Sequence, residues 1–219
     1  MTGCSRRSTL VAAVLVACLV RPVAAQRAGA LTAVDLPAQL SPATRQAIAR
    51  LGDSLRAAHL PDEPLYAKAA EGVLKGAEDA RIVNAVRTLA RELGVARAAL
   101  GAVDDADLIA AASALHVGAS MAMLGQLHDT QLASATKSRS SLASAFVALA
   151  DLLTRRVPPL AASAAIDSLV ARRAPSEDFA ALRAAVERDI DAGRSPEAAQ
   201  EAGARRQGRG HFEPRALGS

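Results

Sequence analysis

The chain has 219 residues, with 26 Lys and Arg against 22 Asp and Glu, and 51% of its residues are hydrophobic but only 2% aromatic. This length suits one domain or two small ones. The formal charge of +4 lacks the basic stripe that a nucleic-acid surface needs, and with no Trp and one Tyr the core must be filled by Ala, Leu and Val.

The chain opens with "MTGCSRRSTLVAAVLVACLVRPVAA". Arg6 and Arg7 precede an apolar run from Leu10 to Val20, and "VAA" stands before Gln26. That is the layout of a secretory signal peptide over residues 1–25, cleaved after Ala25. The run is shorter than the roughly 20 residues a membrane-spanning helix requires. A second reading starts from "LVAC", residues 15–18, which resembles a bacterial lipobox and would make Cys18 a lipidated first residue. Either way the protein is expected outside the cytoplasm, periplasmic or secreted. Cleavage after Ala25 removes Cys4 and Cys18, leaving neither disulfide nor thiol chemistry. It also removes Arg6, Arg7 and Arg21, so the remainder is close to neutral.

Residues 26–41 lack clear periodicity and read as a flexible lead-in to a helical domain at 42–203. Ser41-Pro42 opens the first helix, with Ser as cap and Pro at its first position. The stretch "DARIVNAVRTLARELGVARAAL" (79–100) repeats apolar residues every three or four positions and predicts an amphipathic helix. So does 137–156, where Leu142, Phe146, Leu149 and Leu153 share a face and Pro158-Pro159 follows. Residues 176–193 open with Ser176 and acids and close at Gly193; Ser195-Pro196 starts another helix. The segment 204–219, with Arg205, Arg206, Arg209 and Arg215 against Glu213, reads as a basic disordered tail.

Three stretches share a shape: 60–82, 102–124 and 157–179. Each begins at a Pro or Asp cluster, runs through Ala and Leu, and breaks at "KGA", "VGA" or "RRA". The breaks mark helix joints at Gly76, Gly118 and Arg173. They suggest degenerate helix-turn-helix units in a short array, although the signature residues of tetratricopeptide and ankyrin repeats are absent. No alternating run or hairpin signal appears. The fold class is therefore all-α, a multi-helix bundle or short irregular array of helix-turn-helix units.

Chemistry is sparse. Lys75-Gly76 lacks the second Gly and the hydroxyl of a phosphate loop, so it reads as a helix end with a cation on the negative terminus. Asp104, Asp105 and Asp107 suit the start of a helix and lack a calcium loop around them. Glu71, Glu92 and Glu187 stand singly, without the paired geometry of glycoside hydrolysis. No Gly-x-Ser-x-Gly or Ser-x-x-Lys pattern supports serine chemistry around Ser140-Ser141.

His116, His128 and Asp129, with Asp151 or Asp167 downstream, form the one metal-like constellation. It resembles the His…His-Asp…Asp pattern of the all-helical HD-type metal phosphohydrolases. That resemblance implies a metal held by imidazole and carboxylate that activates water. It departs from the family in the short 12-residue gap between the histidines and in lacking the Gly after His-Asp.

The sequence thus favours an exported, non-enzymatic helical interaction or structural protein of the bacterial cell envelope, with no cofactor. Its expected partners are another protein or itself. Nucleic acid is not expected, while a membrane surface is reachable through Cys18 lipidation or the Arg-rich tail. The alternatives are an HD-like hydrolase using His116, His128 and Asp129, and a lipoprotein anchored at Cys18.

Overall fold

The computed structural model describes residues 36–134 and 142–209. The segment 1–25 read as a signal peptide, Cys18, Ser140-Ser141 and residues 210–219 lie outside them. Among the described residues the fold is all-helical, with nine helices and no strand. They are α1 (Pro42–Ala57), α2 (Glu63–Leu74), α3 (Asp79–Leu100), α4 (Asp105–His116), α5 (Met121–Ser134), α6 (Leu142–Thr154), α7 (Pro159–Ala171), α8 (Ser176–Asp191) and α9 (Pro196–Arg209).

Helix starts follow local chemistry. The Ser41 hydroxyl accepts from the Thr44 amide at 3.3 Å, and Ser195 repeats the bond with Ala198 at 3.3 Å. Ser120 caps α5 through the Met123 amide at 3.2 Å. These hydroxyls satisfy first-turn amides that have no helical partner. Ser176 behaves differently from the cap it resembles. Pro175 takes the cap position, and Ser176, already helical, bonds Ser144 of α6 at 3.1 Å.

Six helix ends share one device. At His59, Gly76, Gly118, Arg156, Arg173 and Gly193 the backbone turns to positive φ, between 52° and 106°. The amide of the next residue reaches back five positions, as in Ala77 to Gly72 and Val157 to Leu152. This Schellman arrangement caps orphan carbonyls and turns the chain within a few residues. Each of these joints leads almost at once into another helix.

Long-range hydrogen bonds show how the helices are set. Ser41, the cap of α1, donates its amide to Asp79 of α3, and Arg97 of α3 donates to the His59 carbonyl beyond α1, both across 38 residues. Thr130 and Ser134 of α5 reach Asp167 and Ala171 of α7, both across 37. Ser144 and Arg183 tie α6 to α8, both across 32. A constant offset along a helix pair means the two run parallel. Each helix packs on its sequence neighbour or on the next but one: α1 on α3, α3 on α5, α4 on α6, α5 on α7, α6 on α8 and α7 on α9.

The phase of the units differs from the sequence reading. Gly76, Gly118, Arg156 and Gly193 join α2 to α3, α4 to α5, α6 to α7 and α8 to α9. Arg173 joins α7 to α8, so it belongs with His59 at the passage between units. The stretch 157–179 is therefore out of register with 60–82 and 102–124. Ala-rich helices offer few landmarks, and Arg156 stands where its counterparts carry glycine.

Two margins are also corrected. Leu36 and Leu40, at the end of the expected lead-in, are buried against the core. At the other end α9 continues to Arg209, six residues into the segment read as tail.

The core runs through all the helices from α1 to α9. On α3, Ile82, Val86, Leu93, Ala96 and Leu100 form its buried stripe. Helix α6 is buried on most of its circumference, because α4, α7 and α8 all pack against it. Four alanines of α4, Ala110, Ala111, Ala112 and Ala114, are buried. Small side chains allow close approach and compensate for little apolar area per residue.

Candidate functional site

The α2–α3 corner holds a depression that combines space with charge. Helix α2 ends at Leu74, Lys75 caps it, and Gly76 turns at φ 66°. Gly72 lets Ile82 of α3 approach so closely that an added Cβ would lie 2.7 Å from Ile82 Cγ1. Lys68, Glu71, Gly72, Lys75, Ala77, Arg81, Ile82 and Ala85 line an open depression of about 130 Å³. Its floor is apolar and its rim charged.

On that rim Glu71 accepts from Lys68 Nζ at 2.9 Å and also pairs with Lys75. The Lys75 ammonium foremost, with Lys68, holds the Glu71 carboxyl down at about 2. Glu71 is thus ionised at any ordinary pH. Arg81 is exposed and makes no ion pair among the described residues.

The histidines go elsewhere. His116, at the end of α4, has Nδ1 3.0 Å from Glu92 Oε1 of α3. His128 lies on α5, and its charged neighbour is Asp107 of α4. Asp129 is exposed on α5. Asp151 is held by Arg155 at 3.1 Å and Arg183 at 3.2 Å, and Asp167 accepts from Thr130 at 2.7 Å and Gln126 at 3.5 Å. Among the described residues no group of three metal-ligating side chains gathers.

The acidic run divides its work. Asp104 precedes α4 and Asp105 begins it, while the Asp107 carboxylate accepts the Ala143 amide of α6 at 2.7 Å. One carboxylate therefore caps the start of a different helix. Burial raises the Asp107 carboxyl above its ordinary range, with Asp104 adding to it and the Ala143 amide and His128 opposing it. Sequence reading placed these acids at a helix start but had no signal for the reach of 36 residues from Asp107 to Ala143.

No family model, curated protein or solved structure matches this chain. The geometry alone carries the functional reading.

Other polar groups serve the scaffold. Asp62 accepts from Arg56 Nε at 3.0 Å and from the Tyr66 hydroxyl at 3.1 Å, fixing the α1–α2 corner. Arg155 reaches Glu187 of α8 at 3.0 Å as well as Asp151, which links α6 to α8. Among the described residues no helix is long and apolar enough to cross a membrane.

Proposed function

We propose that this chain is an exported helical-array protein of the cell envelope that works by holding a protein partner or a second copy of itself. The observation that carries this reading is the succession of helix pairs, each packed on its neighbours along the chain. Such stacking buries a continuous core and leaves long outer helix faces available for contact. Leu74, Met121, Leu132 and Leu160 are exposed on those faces, Leu74 at 88% and Leu160 at 81%. Export is supported by the Arg6-Arg7, apolar-run and "VAA" layout of the first 25 residues.

The test is to express the full chain in a bacterium, fractionate the cells and weigh the protein. A periplasmic product beginning at Gln26, whose sedimentation shows concentration-dependent self-association or a defined partner complex, is the expected result. A full-mass product confined to the cytoplasm overturns the export reading. Stoichiometric bound metal that disappears in His128→Ala overturns the non-enzymatic reading.

A further inference from the structure

The α2–α3 depression brings three cations, one anion and an apolar floor into one place. Lys68 and Lys75 share Glu71, and Arg81 is left without an ion pair among the described residues. The four charges leave a formal surplus of two positive. The α2 carboxyl end and the α3 amino end meet here, and their dipoles oppose each other. The side-chain surplus therefore decides the sign of the site. Glu78 and Asp79, next along the chain, do not line the depression, and Asp79 is engaged by the Ser41 amide at 3.0 Å.

The floor adds shape to charge. Gly72, Ala77, Ile82 and Ala85 present hydrocarbon, and the space of about 130 Å³ suits a short aliphatic body. A bare inorganic anion would leave that floor wet, and an uncharged aliphatic group would leave Arg81 unanswered. A ligand with both parts answers both.

We infer that this depression receives a carboxylate borne on a short aliphatic body, either a free acid or the C-terminal residue of a peptide. Arg81 takes one carboxylate edge, Lys75 turns from Glu71 to share it, and the aliphatic part lies on Ala77 and Ile82. Glu71 is the internal competitor, holding both lysines while the site is empty. Because its carboxyl sits at about 2, that competition is constant across physiological pH.

The experiment follows backbone amide shifts of Gly72, Gly76 and Ala77 in the full chain during titration with valerate, valeramide, acetate and the peptide Gly-Gly-Val with a free or amidated C-terminus. For about seven heavy atoms, affinity in roughly the millimolar range is expected. Valerate should give saturable shifts that weaken with added salt; valeramide should give none. Arg81→Gln, an exposed change, should lower affinity about tenfold, the loss of one charge-assisted contact. Glu71→Gln should raise it several-fold by releasing the lysines, whereas a purely structural Glu71 would leave it unchanged or lower it. Tighter binding of free-ended Gly-Gly-Val than of valerate assigns the site to chain termini, and the reverse order assigns it to free acids. Equal binding of acetate and valerate, equal shifts from valerate and valeramide, or an Arg81→Gln chain that binds as before overturns the inference.

Discussion

At the α1–α2 corner Gly52 admits the Tyr66 ring, Leu60 is buried beneath the turn, and Asp62 ties Arg56 to the Tyr66 hydroxyl. At the α2–α3 corner Gly72 admits Ile82, Ala77 follows the turn, and Glu71 ties Lys68 to Lys75 at the surface. Both corners use the same backbone joint, at His59 and at Gly76. The first is filled because Leu and Tyr occupy the angle between the helices. The second stays open because Ala and Ile leave room there. Joint geometry thus sets where helices turn, and side-chain volume decides whether a turn becomes core or cavity. The residues at positive φ fit the same logic. His59, Arg156 and Arg173 bear a side chain in a conformation that favours glycine, and each is followed by a buried apolar residue, Leu60, Val157 or Ala174.

Gly52→Ala should have the largest effect. Its Cβ would collide with the Tyr66 hydroxyl and stand 2.9 Å from Cζ of a ring that is only 2% exposed. About 3 kcal/mol of overpacking less about 1 kcal/mol of helix propensity leaves a loss of about 2 kcal/mol in urea unfolding. An unchanged midpoint would show that the first corner is not tightly filled.

Next comes Gly76→Ala. No atom opposes the added methyl, so the expected loss of about 1 kcal/mol comes from the left-handed backbone alone. A gain instead would mean that α2 runs on through the joint.

Gly72→Ala tests the second corner by the same logic as Gly52. The Cβ would stand 2.7 Å from Ile82 Cγ1, beside a depression into which Ile82 can shift. Crowding and propensity nearly cancel, and the net loss should be about 0.5 kcal/mol. A loss as large as that of Gly52→Ala would contradict the contrast between filled and open corners.

The smallest effect concerns Glu71. Its carboxyl is held below the ordinary value by Lys75 and Lys68, so its contribution to stability is present above that ordinary value and is lost as pH falls through about 2. Wild type and Glu71→Gln should therefore differ slightly at neutral pH and converge in strong acid. A difference that persists at the acid end would remove the ion pairs as its cause. Because these side chains are exposed, salt should shrink the difference too.

Helix class was legible from periodicity: α3 spans the 79–100 stretch whose apolar residues recur every three or four positions. Prolines and serines marked the starts of α1 and α9. The glycines gave away three turns and the Arg-Arg-Ala break gave the one at Arg173, but Arg156 has no such signature, so the unit phase slipped in the last third. That is a limit of local chemistry, since Val157 must be known to be buried before Arg156 reads as a joint. Charge partners were likewise invisible. Asp107 reaching Ala143, or Asp151 held by two arginines, depends on which helices lie side by side. The depression at Ala77 was hidden for the same reason, because a cavity is a property of the gap between helices.

The hydrogen bonds between helices described above span at most 41 residues, and among the described residues the main helix contacts join neighbours or the next helix but one. A chain fastened this way has no single latch whose failure releases everything. Stretched from its two ends, it should yield in steps, each step paying out one helix pair of about 40 residues, or roughly 130–145 Å of extended backbone. It would behave less like a knot than like a row of stitches.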